Sequence, residues 1–207
     1  KGGMAMTEYF HVLGNLAASL RTECGTVSAI CGILKAPLDI LADKLRGYYG
    51  LASDLCHQPK KVLAACEAMM PHLLQIALDS ADPQKQVPIG FWMHRSCVPL
   101  ISPDHFQNIF WPTLKPIIEE IWKRGNQVLF YAEGNWDYHL QSFRELPAGS
   151  IVYHVDRGDI FLAKQVLGDK FCLSGGIPND LFHLDPKEVK AYCKKVIDGV
   201  AQEGGYI

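Results

Sequence analysis

The chain has 207 residues, of which 48% are hydrophobic and 20% are charged, enough apolar material to bury one sizeable core. Its formal net charge of −2 provides no basic stripe to neutralise phosphates, so we expect no nucleic-acid partner. The seven cysteines include no Cys-x-x-Cys pair, and no apolar run reaches the roughly 18 residues that a membrane span requires. These features predict a cytoplasmic protein with reduced thiols and no membrane partner.

The first 80 residues predict several helices and one short strand. Apolar residues recur at helical spacing over 4–20, and residues 24–32 form a short run of strand type bounded by glycines. Helical patterns follow at 38–45 and 54–79. The second contains a new start at Gln58-Pro59, because proline suits a first helical turn.

From residue 87 onward, strand and helix patterns alternate regularly. Strand-type runs lie at 87–93, 128–133, 151–156 and 170–173, helical patterns lie at 106–121, 138–146, 160–167 and 185–200, and residues 206–207 begin one more strand. No hairpin signal separates the strands, so the sheet is predicted to be parallel.

Eight such units and about 250 residues close a TIM barrel. We therefore expect an α/β fold, a fragment of a (β/α)8 TIM barrel that holds roughly strands 3 to 8 as one partial domain over residues 1–207. Its open sheet edges favour self-association.

Two predicted neighbouring strands end in ionisable side chains. Glu133 closes the run that begins at Val128, and His154 and Asp156 close the run that begins at Ile151. The carboxyl ends of adjacent parallel strands lie side by side, and barrel enzymes place their reactive groups there. Glu133, His154 and Asp156 are therefore the predicted catalytic residues.

Several motifs, in this order along the chain, carry a resemblance. They are the 100–106 segment Leu-Ile-Ser-Pro-Asp-His-Phe, Trp111-Pro112 with Lys115 and Gly125, Glu133-Gly134-Asn135, the 167–170 segment Leu-Gly-Asp-Lys, the 174–178 segment Ser-Gly-Gly-Ile-Pro, and the 185–189 segment Asp-Pro-Lys-Glu-Val. Together they resemble the carboxyl-terminal two-thirds of the uroporphyrinogen decarboxylase superfamily. The resemblance implies a (β/α)8 barrel of one of two kinds, a cofactor-free decarboxylase or a zinc-dependent methyltransferase that works with a corrinoid.

The resemblance favours the second kind and one branch within it. Methyltransferases that act on coenzyme M carry a His-x-Cys pair where this chain has Tyr131-Ala132-Glu133. Glu133 and His154, with twenty intervening residues, are instead similar to the zinc pattern of enzymes that open anaerobic O-demethylation. This implies zinc, a small methoxylated aromatic substrate, and a corrinoid carried by a partner corrinoid protein. The further glutamate of that pattern has no match, since Glu119 and Glu120 lie on the predicted solvent side of a helix.

A catalytic zinc needs about three protein ligands and one open position. We expect Glu133 and His154 to be two of them and His94 the third, while Asp156 is either a ligand or an acceptor for a histidine N–H. In the alternative interpretation, His94 and Arg95 only cap a strand, and His154 pairs with Asp156.

The other predicted contacts surround the same strand ends. Substrate-binding residues are expected to be His94, Arg95, Tyr131 and Trp136. Gly175, Gly176 and Asn179 are expected to line the substrate or corrinoid side, although two adjacent glycines fit a tight turn equally well.

Two other functions stay open. Uroporphyrinogen decarboxylation needs a basic cleft, whereas Lys35, Arg95 and Arg157 face Glu133 and Asp156 near the predicted strand ends, together with Asp159. That acidic balance disfavours a polycarboxylate substrate. An inactive subunit that only binds a corrinoid protein or a small molecule is the third possibility, because fold alone does not determine function.

Overall fold

The computed structural model describes all 207 residues and contains one parallel sheet in chain order. Its strands are β1 (Cys31–Leu34), β2 (Ile89–Met93), β3 (Val128–Ala132), β4 (Ile151–Val155) and β5 (Cys172–Gly175). The carboxyl ends of all five strands therefore point the same way, as the regular alternation predicts.

One helix precedes β1, and the others follow the strands and cover one face of the sheet. The helices are α1 (Gly2–Cys24), α2 (Pro37–Ile40), α3 (Tyr48–His57), α4 (Pro59–Asp79), α5 (Pro103–His105), α6 (Trp111–Lys123), α7 (Leu140–Phe143), α8 (Ile160–Leu167) and α9 (Pro186–Val196). Ser102 caps α5 and Asp185 forms a capping box on α9. Short π-helical turns, including Leu41–Leu45 after α2, extend several of these helices.

Two predicted strands are displaced. The run at 24–32 is not a strand, since α1 continues to Cys24 and ends at Gly25 in the left-handed conformation, and β1 begins only at Cys31. The strand predicted at 170–173 begins at Cys172, because the Phe171 N–H still donates to the Leu167 carbonyl and closes α8. Local hydrogen bonding at helix ends decided both boundaries.

The two faces of the sheet differ in what covers them. Phe91, Phe130 and Tyr153 alternate towards the helices and are almost fully buried, with the Phe130 and Tyr153 rings 5.8 Å apart. Trp92 and Tyr131 point to the opposite, concave face, which would be the interior of a closed barrel. The helix layer thus holds the core and leaves the concave face open.

The edges of the sheet identify it as part of a barrel. Tyr206 forms a parallel bridge with Leu173, so a further strand begins beside β5, as predicted. At the other edge, β1 pairs only with β2. The chain therefore folds as a fragment of a (β/α)8 barrel.

The two longest helices, α1 and α4, differ in their contribution to the core. No residue of α1 is buried. Helix α4 is long and apolar enough to span a membrane by length and composition alone, which the sequence reading did not anticipate, but this is weak evidence since helices of soluble cores pass the same criterion. Here α4 packs on α2, α3 and α6, and Val62, Cys66 and Ala77 are its buried residues.

Candidate functional site

A cleft of about 490 Å³ lies at the carboxyl ends of β2, β3 and β4. The Glu133 N–H donates to the Met93 carbonyl at 3.0 Å, which holds the ends of β2 and β3 together. The cleft is lined by Trp92, His94, Arg95, Cys97, Tyr131, Glu133, Gly134, Asp156, Arg157 and Asn179. The structure thus brings six of the predicted site residues to one place: His94, Arg95, Tyr131, Glu133, Asp156 and Asn179.

An aromatic row forms the floor beside this cleft. The strand register places Trp92, Tyr131 and His154 next to one another on the concave face. The Trp92 and Tyr131 ring centroids are 4.7 Å apart, and the His154 ring stacks on Tyr131 at 4.5 Å. Burial, followed by the charges of Asp156 and Glu133, raises the pKa of Tyr131, so its hydroxyl stays protonated at neutral pH.

His154 is held in the row and does not line the cleft. Its Nδ1 lies 2.8 Å from the Ser174 hydroxyl, on the neighbouring strand β5. Burial lowers the pKa of His154, although the charge of Asp156 opposes this, so the imidazole is neutral at pH 7. No hydrogen bond joins His154 to Asp156, and the alternative of a His154–Asp156 pair is therefore wrong.

The two carboxylates of the cleft each receive one hydrogen bond from a neutral donor. The Trp92 indole N–H donates to Glu133 Oε2 at 2.5 Å, and the backbone N–H of Gly134 donates to Asp156 Oδ2 at 2.9 Å. Neither carboxylate has a salt bridge to Lys, Arg or His. Glu133 and Asp156 therefore line the cleft without a salt-bridge partner.

His94 occupies a fixed position between two charged groups. Its Nε2 lies 3.0 Å from Asp43 Oδ2, and its Nδ1 lies 3.1 Å from Lys35 Nζ. A carboxylate requires a ring N–H opposite it, whereas an ammonium requires a ring lone pair, so this contact pair assigns the proton to Nε2. Both ring nitrogens are thereby engaged, and neither is free to bind a metal.

The predicted zinc set is therefore not assembled. No group of three His, Cys, Asp or Glu side chains in the structure is arranged to hold a metal ion. His94 is occupied by Asp43 and Lys35, His154 is turned towards Ser174, and only Glu133 faces the cleft. Glu133, His154 and His94 are therefore not grouped as a three-ligand set in this structure, and zinc binding stays a prediction.

Asp43 binds the basic side chains beside the cleft, an arrangement that the sequence did not indicate. It accepts from Lys35 at 2.5 Å and from Arg95 Nε at 2.9 Å, in addition to its contact with His94. Burial alone would raise the pKa of Asp43, but these hydrogen bonds and charges outweigh burial and lower it to about 2. Three basic side chains near the cleft thus share one carboxylate.

Asp39, one helical turn earlier, fixes the loop that carries His94 and Arg95. It is fully buried and accepts from the backbone N–H groups of His94 at 3.0 Å and Arg95 at 2.8 Å, and from the Ser96 hydroxyl at 2.7 Å. Burial raises the pKa of Asp39, and the three donors oppose this. The spacing of Asp39 and Asp43, four residues apart at the start of a helix after a strand, was the only available sequence signal.

A profile of the family described as uroporphyrinogen decarboxylase (URO-D) matches residues 5–207. The chain belongs to the URO-D family. No curated protein matches it by sequence.

One solved structure similar to this chain is described as a methyltransferase from Methanosarcina mazei. It superposes with a TM-score of 0.67 at 17% sequence identity, and the match covers 87% of this chain and 52% of that one. This similarity establishes the shared fold, and the present URO-D chain spans about half the length of that protein.

The structure also shows where Trp136 and the glycines after β5, the remaining predicted site residues, lie in the URO-D fold. Trp136, expected to contact substrate, is 1% exposed and packs in the helix layer, 5.3 Å from the Phe130 ring, with its indole N–H on the Glu133 carbonyl. The Trp136 prediction is therefore wrong, because this large apolar ring is needed to fill the layer behind β3. The Glu133 carbonyl, held in this way, is oriented by the core.

The glycines after β5 form a tight turn. Gly175 and Gly176 adopt φ angles of 79° and 73°, and a Cβ on Gly176 would lie 2.5 Å from Ile160. Protein atoms already occupy the space beside both glycines, and neither lines the cleft, whereas Asn179 does. Of the two interpretations of this loop, the tight turn fits Gly175 and Gly176.

Proposed function

We propose that the intact protein transfers a methyl group from a small methoxylated aromatic compound to a corrinoid carried by a partner protein. The observation that carries this proposal is the combination, in one cleft, of an aromatic floor and two carboxylates without cationic partners. The similarity in fold to a protein described as a methyltransferase adds support.

The aromatic row suits a planar substrate. Trp92 and Tyr131 present apolar ring surface to the cleft, and Trp92 is 38% exposed. An aryl ring packing against them would be bound by apolar burial and by the offset contacts that aromatic pairs favour. Binding there would bring the substrate close to Tyr131, Glu133 and Asp156.

Cleavage of an aryl methyl ether leaves a phenolate oxygen that must be stabilised. The hydroxyl of Tyr131 is protonated, lines the cleft and has no hydrogen-bond partner in the protein, so it can donate to that oxygen as charge develops. Glu133 is held by the Trp92 indole, while burial, followed by the charges of Asp156 and Glu133, raises the pKa of Tyr131 and so retains its proton. The corrinoid, when bound, supplies the nucleophile that takes the methyl carbon.

Zinc does not fit the donors that this chain brings together. Glu133 and His154 provide two candidate ligands, fewer than the three that a catalytic zinc needs, and His154 is turned towards Ser174. We therefore assign no step to zinc. Zinc content stays a prediction that direct measurement can test.

The charge arrangement disfavours the decarboxylase alternative. Lys35, His94 and Arg95 all contact Asp43, so the unpaired basic donors of the cleft are those of Arg95 and Arg157, too few for a substrate with many carboxylates. Glu133 and Asp156 would in addition repel such a substrate from the opposite wall.

The test uses the full-length protein and follows methyl transfer from methoxybenzene derivatives to cob(I)alamin by absorbance, with zinc measured by atomic emission. We expect Tyr131→Phe to lower kcat by about 10²-fold, as loss of one donor to a developing oxyanion typically does. Tyr138→Phe, a 70% exposed tyrosine outside the cleft lining, is the matched control and should retain full activity. Decarboxylation of uroporphyrinogen by a wild type that transfers no methyl group would refute the proposal.

A further inference from the structure

The guanidinium of Arg95 is bound through its Nε, and its two terminal nitrogens are unpaired. Its Nε donates to Asp43 Oδ1 at 2.9 Å, while its two terminal nitrogens make no hydrogen bond in the structure. The side chain is 41% exposed and lines the cleft, and its guanidinium lies 6.0 Å from the ring centroid of Tyr48. The anchored Nε and the aromatic neighbour fix the direction in which the free fork points.

The other basic groups near the cleft are not arranged in this way. Lys35 is committed to Asp43 and to His94 Nδ1, and His94 itself is held between them. Arg157 lines the cleft but is exposed and has no carboxylate that anchors it. Arg95 alone combines a fixed position with unused donors.

The basic side chains that contact Asp43 and the two carboxylates that line the cleft follow different strands of the sheet. Arg95 and its neighbours lie after β1 and β2, whereas Glu133 and Asp156 lie after β3 and β4. The formal charges of Lys35, Arg95 and Arg157 balance those of Asp43, Glu133 and Asp156. The cleft is therefore not acidic as a whole, and a ligand with one negative group has one favourable end to bind.

We infer that Arg95, held by Asp43, binds the carboxylate of a small aromatic acid and so determines which methoxylated substrates enter the cleft. This inference rests on the proposed function and names the substrate class for the same site. A planar guanidinium fork matches a carboxylate in a bidentate pair, which a lysine at the same place does not. The substrate ring would lie over Trp92 and Tyr131, with its carboxylate on the β2 side.

Asp43 is a positioning residue in this arrangement, and its role can be separated from a simple charge effect. If net charge alone governed binding, removing the negative charge of Asp43 would strengthen the binding of an anion. If Asp43 acts by fixing Arg95, the same change frees the guanidinium and weakens binding, because the side chain must then be ordered by the ligand.

The experiment is calorimetric titration of the full-length protein with 4-methoxybenzoate and with its neutral analogue 4-methoxybenzamide. We expect the wild type to prefer the acid, and Arg95→Gln to weaken binding of the acid at least about tenfold, equivalent to about 1.4 kcal/mol, without changing binding of the amide. Asp43→Asn should weaken binding of the acid as well. Arg46→Gln removes another aspartate-anchored arginine, one that lies outside the cleft lining, and should bind both ligands as the wild type does.

Four results would overturn the inference. They are equal binding of acid and amide, binding of neither, tighter binding of the acid by Asp43→Asn, and a larger loss in Arg157→Gln than in Arg95→Gln. Circular dichroism of each variant shows whether it is folded, and Arg95→Lys serves as a second variant that keeps the charge and loses the fork. Methyl transfer from neutral methoxybenzene, measured separately, distinguishes failure of this inference from failure of the proposed function.

Discussion

Replacing Gly176 by alanine tests how the turn after β5 is held, and Gly204 provides the matched control. Both glycines have a positive φ, 73° for Gly176 and 78° for Gly204. A Cβ on Gly176 would lie 2.5 Å from Ile160 Cβ and 2.7 Å from its Cγ1, whereas a Cβ on Gly204 would meet nothing within 4 Å. The two substitutions thus share the backbone cost and differ in the steric cost.

The magnitudes follow from these two terms. A left-handed conformation costs an L-residue about 1–2 kcal/mol, and both variants bear this cost. Forcing extra atoms into a packed site costs about 1–3 kcal/mol more, and only Gly176→Ala bears that, because Ile160 is 1% exposed and cannot move aside. The benefit of a less flexible unfolded chain is common to both and cancels in the comparison.

Urea unfolding at 25 °C, followed by circular dichroism, measures the difference. We expect Gly204→Ala to lose about 1–2 kcal/mol and Gly176→Ala to lose about 2–5 kcal/mol, with unchanged m-values. Equal losses in the two variants would show that Ile160 does not restrict this turn. The glycine pair would then have to be explained by a ligand or partner.

Two predictions concern the dependence of stability on pH. The pKa of Asp43 is lowered to about 2, so the stability that Asp43 provides is complete above about pH 4 and is lost as the pH falls through about 2. In urea titrations, the unfolding free energies of wild type and Asp43→Asn should therefore converge by about 2 kcal/mol between pH 5 and pH 2. Parallel curves for the two proteins would contradict this. Burial lowers the pKa of His139 to about 4, so as the pH falls the unfolded chain binds a proton at His139 before the folded protein does. The unfolding free energy should therefore fall by up to about 3 kcal/mol from pH 6.5 to pH 4. His139→Phe should remove this decline, and the same pH slope in the variant as in the wild type would disprove the reasoning.

The sheet was predictable because each strand signal is local. The runs ending at Met93, Glu133 and Asp156 are apolar and β-branched, and such runs have few alternatives to a buried parallel strand. The boundaries were less predictable, since Gly25 and Phe171 extend or close helices through hydrogen bonds that no composition shows. The prediction for Trp136 was wrong because the sequence does not show whether the aromatic residue after β3 packs on the helix side or on the concave side of the sheet.

Asp39 and Asp43 could not be assigned to the cleft from the sequence, because most of the residues that they bind are far from them along the chain. Asp39 and Asp43 follow β1, while His94 and Arg95, which they bind, follow β2, more than fifty residues later. In isolation, Asp43 reads as one of many charged residues on a helix, and its lowered pKa arises only when Lys35 and Arg95 approach it. Pairing of this kind depends on the order of strands in the sheet, which the sequence indicates, and on side-chain direction, which it does not.

Strand register explains why Glu133 and His154 are not grouped as ligands in this structure. Parallel pairing aligns His154 with Tyr131, so His154 belongs to the row of Trp92 and Ser174, and the residue level with Glu133 is Asp156. A fixed separation between Glu133 and His154 in the sequence does not say that they share a row, because the register between two strands is set by the turns and packing that join them. The same register makes Asp156 the neighbour of Glu133 in the cleft and places the Tyr131 ring beside His154, with its hydroxyl free in the cleft. The chemistry available at this mouth is therefore that of two carboxylates and a phenol, and the anchored guanidinium of Arg95 is the group that can select the substrate brought to them.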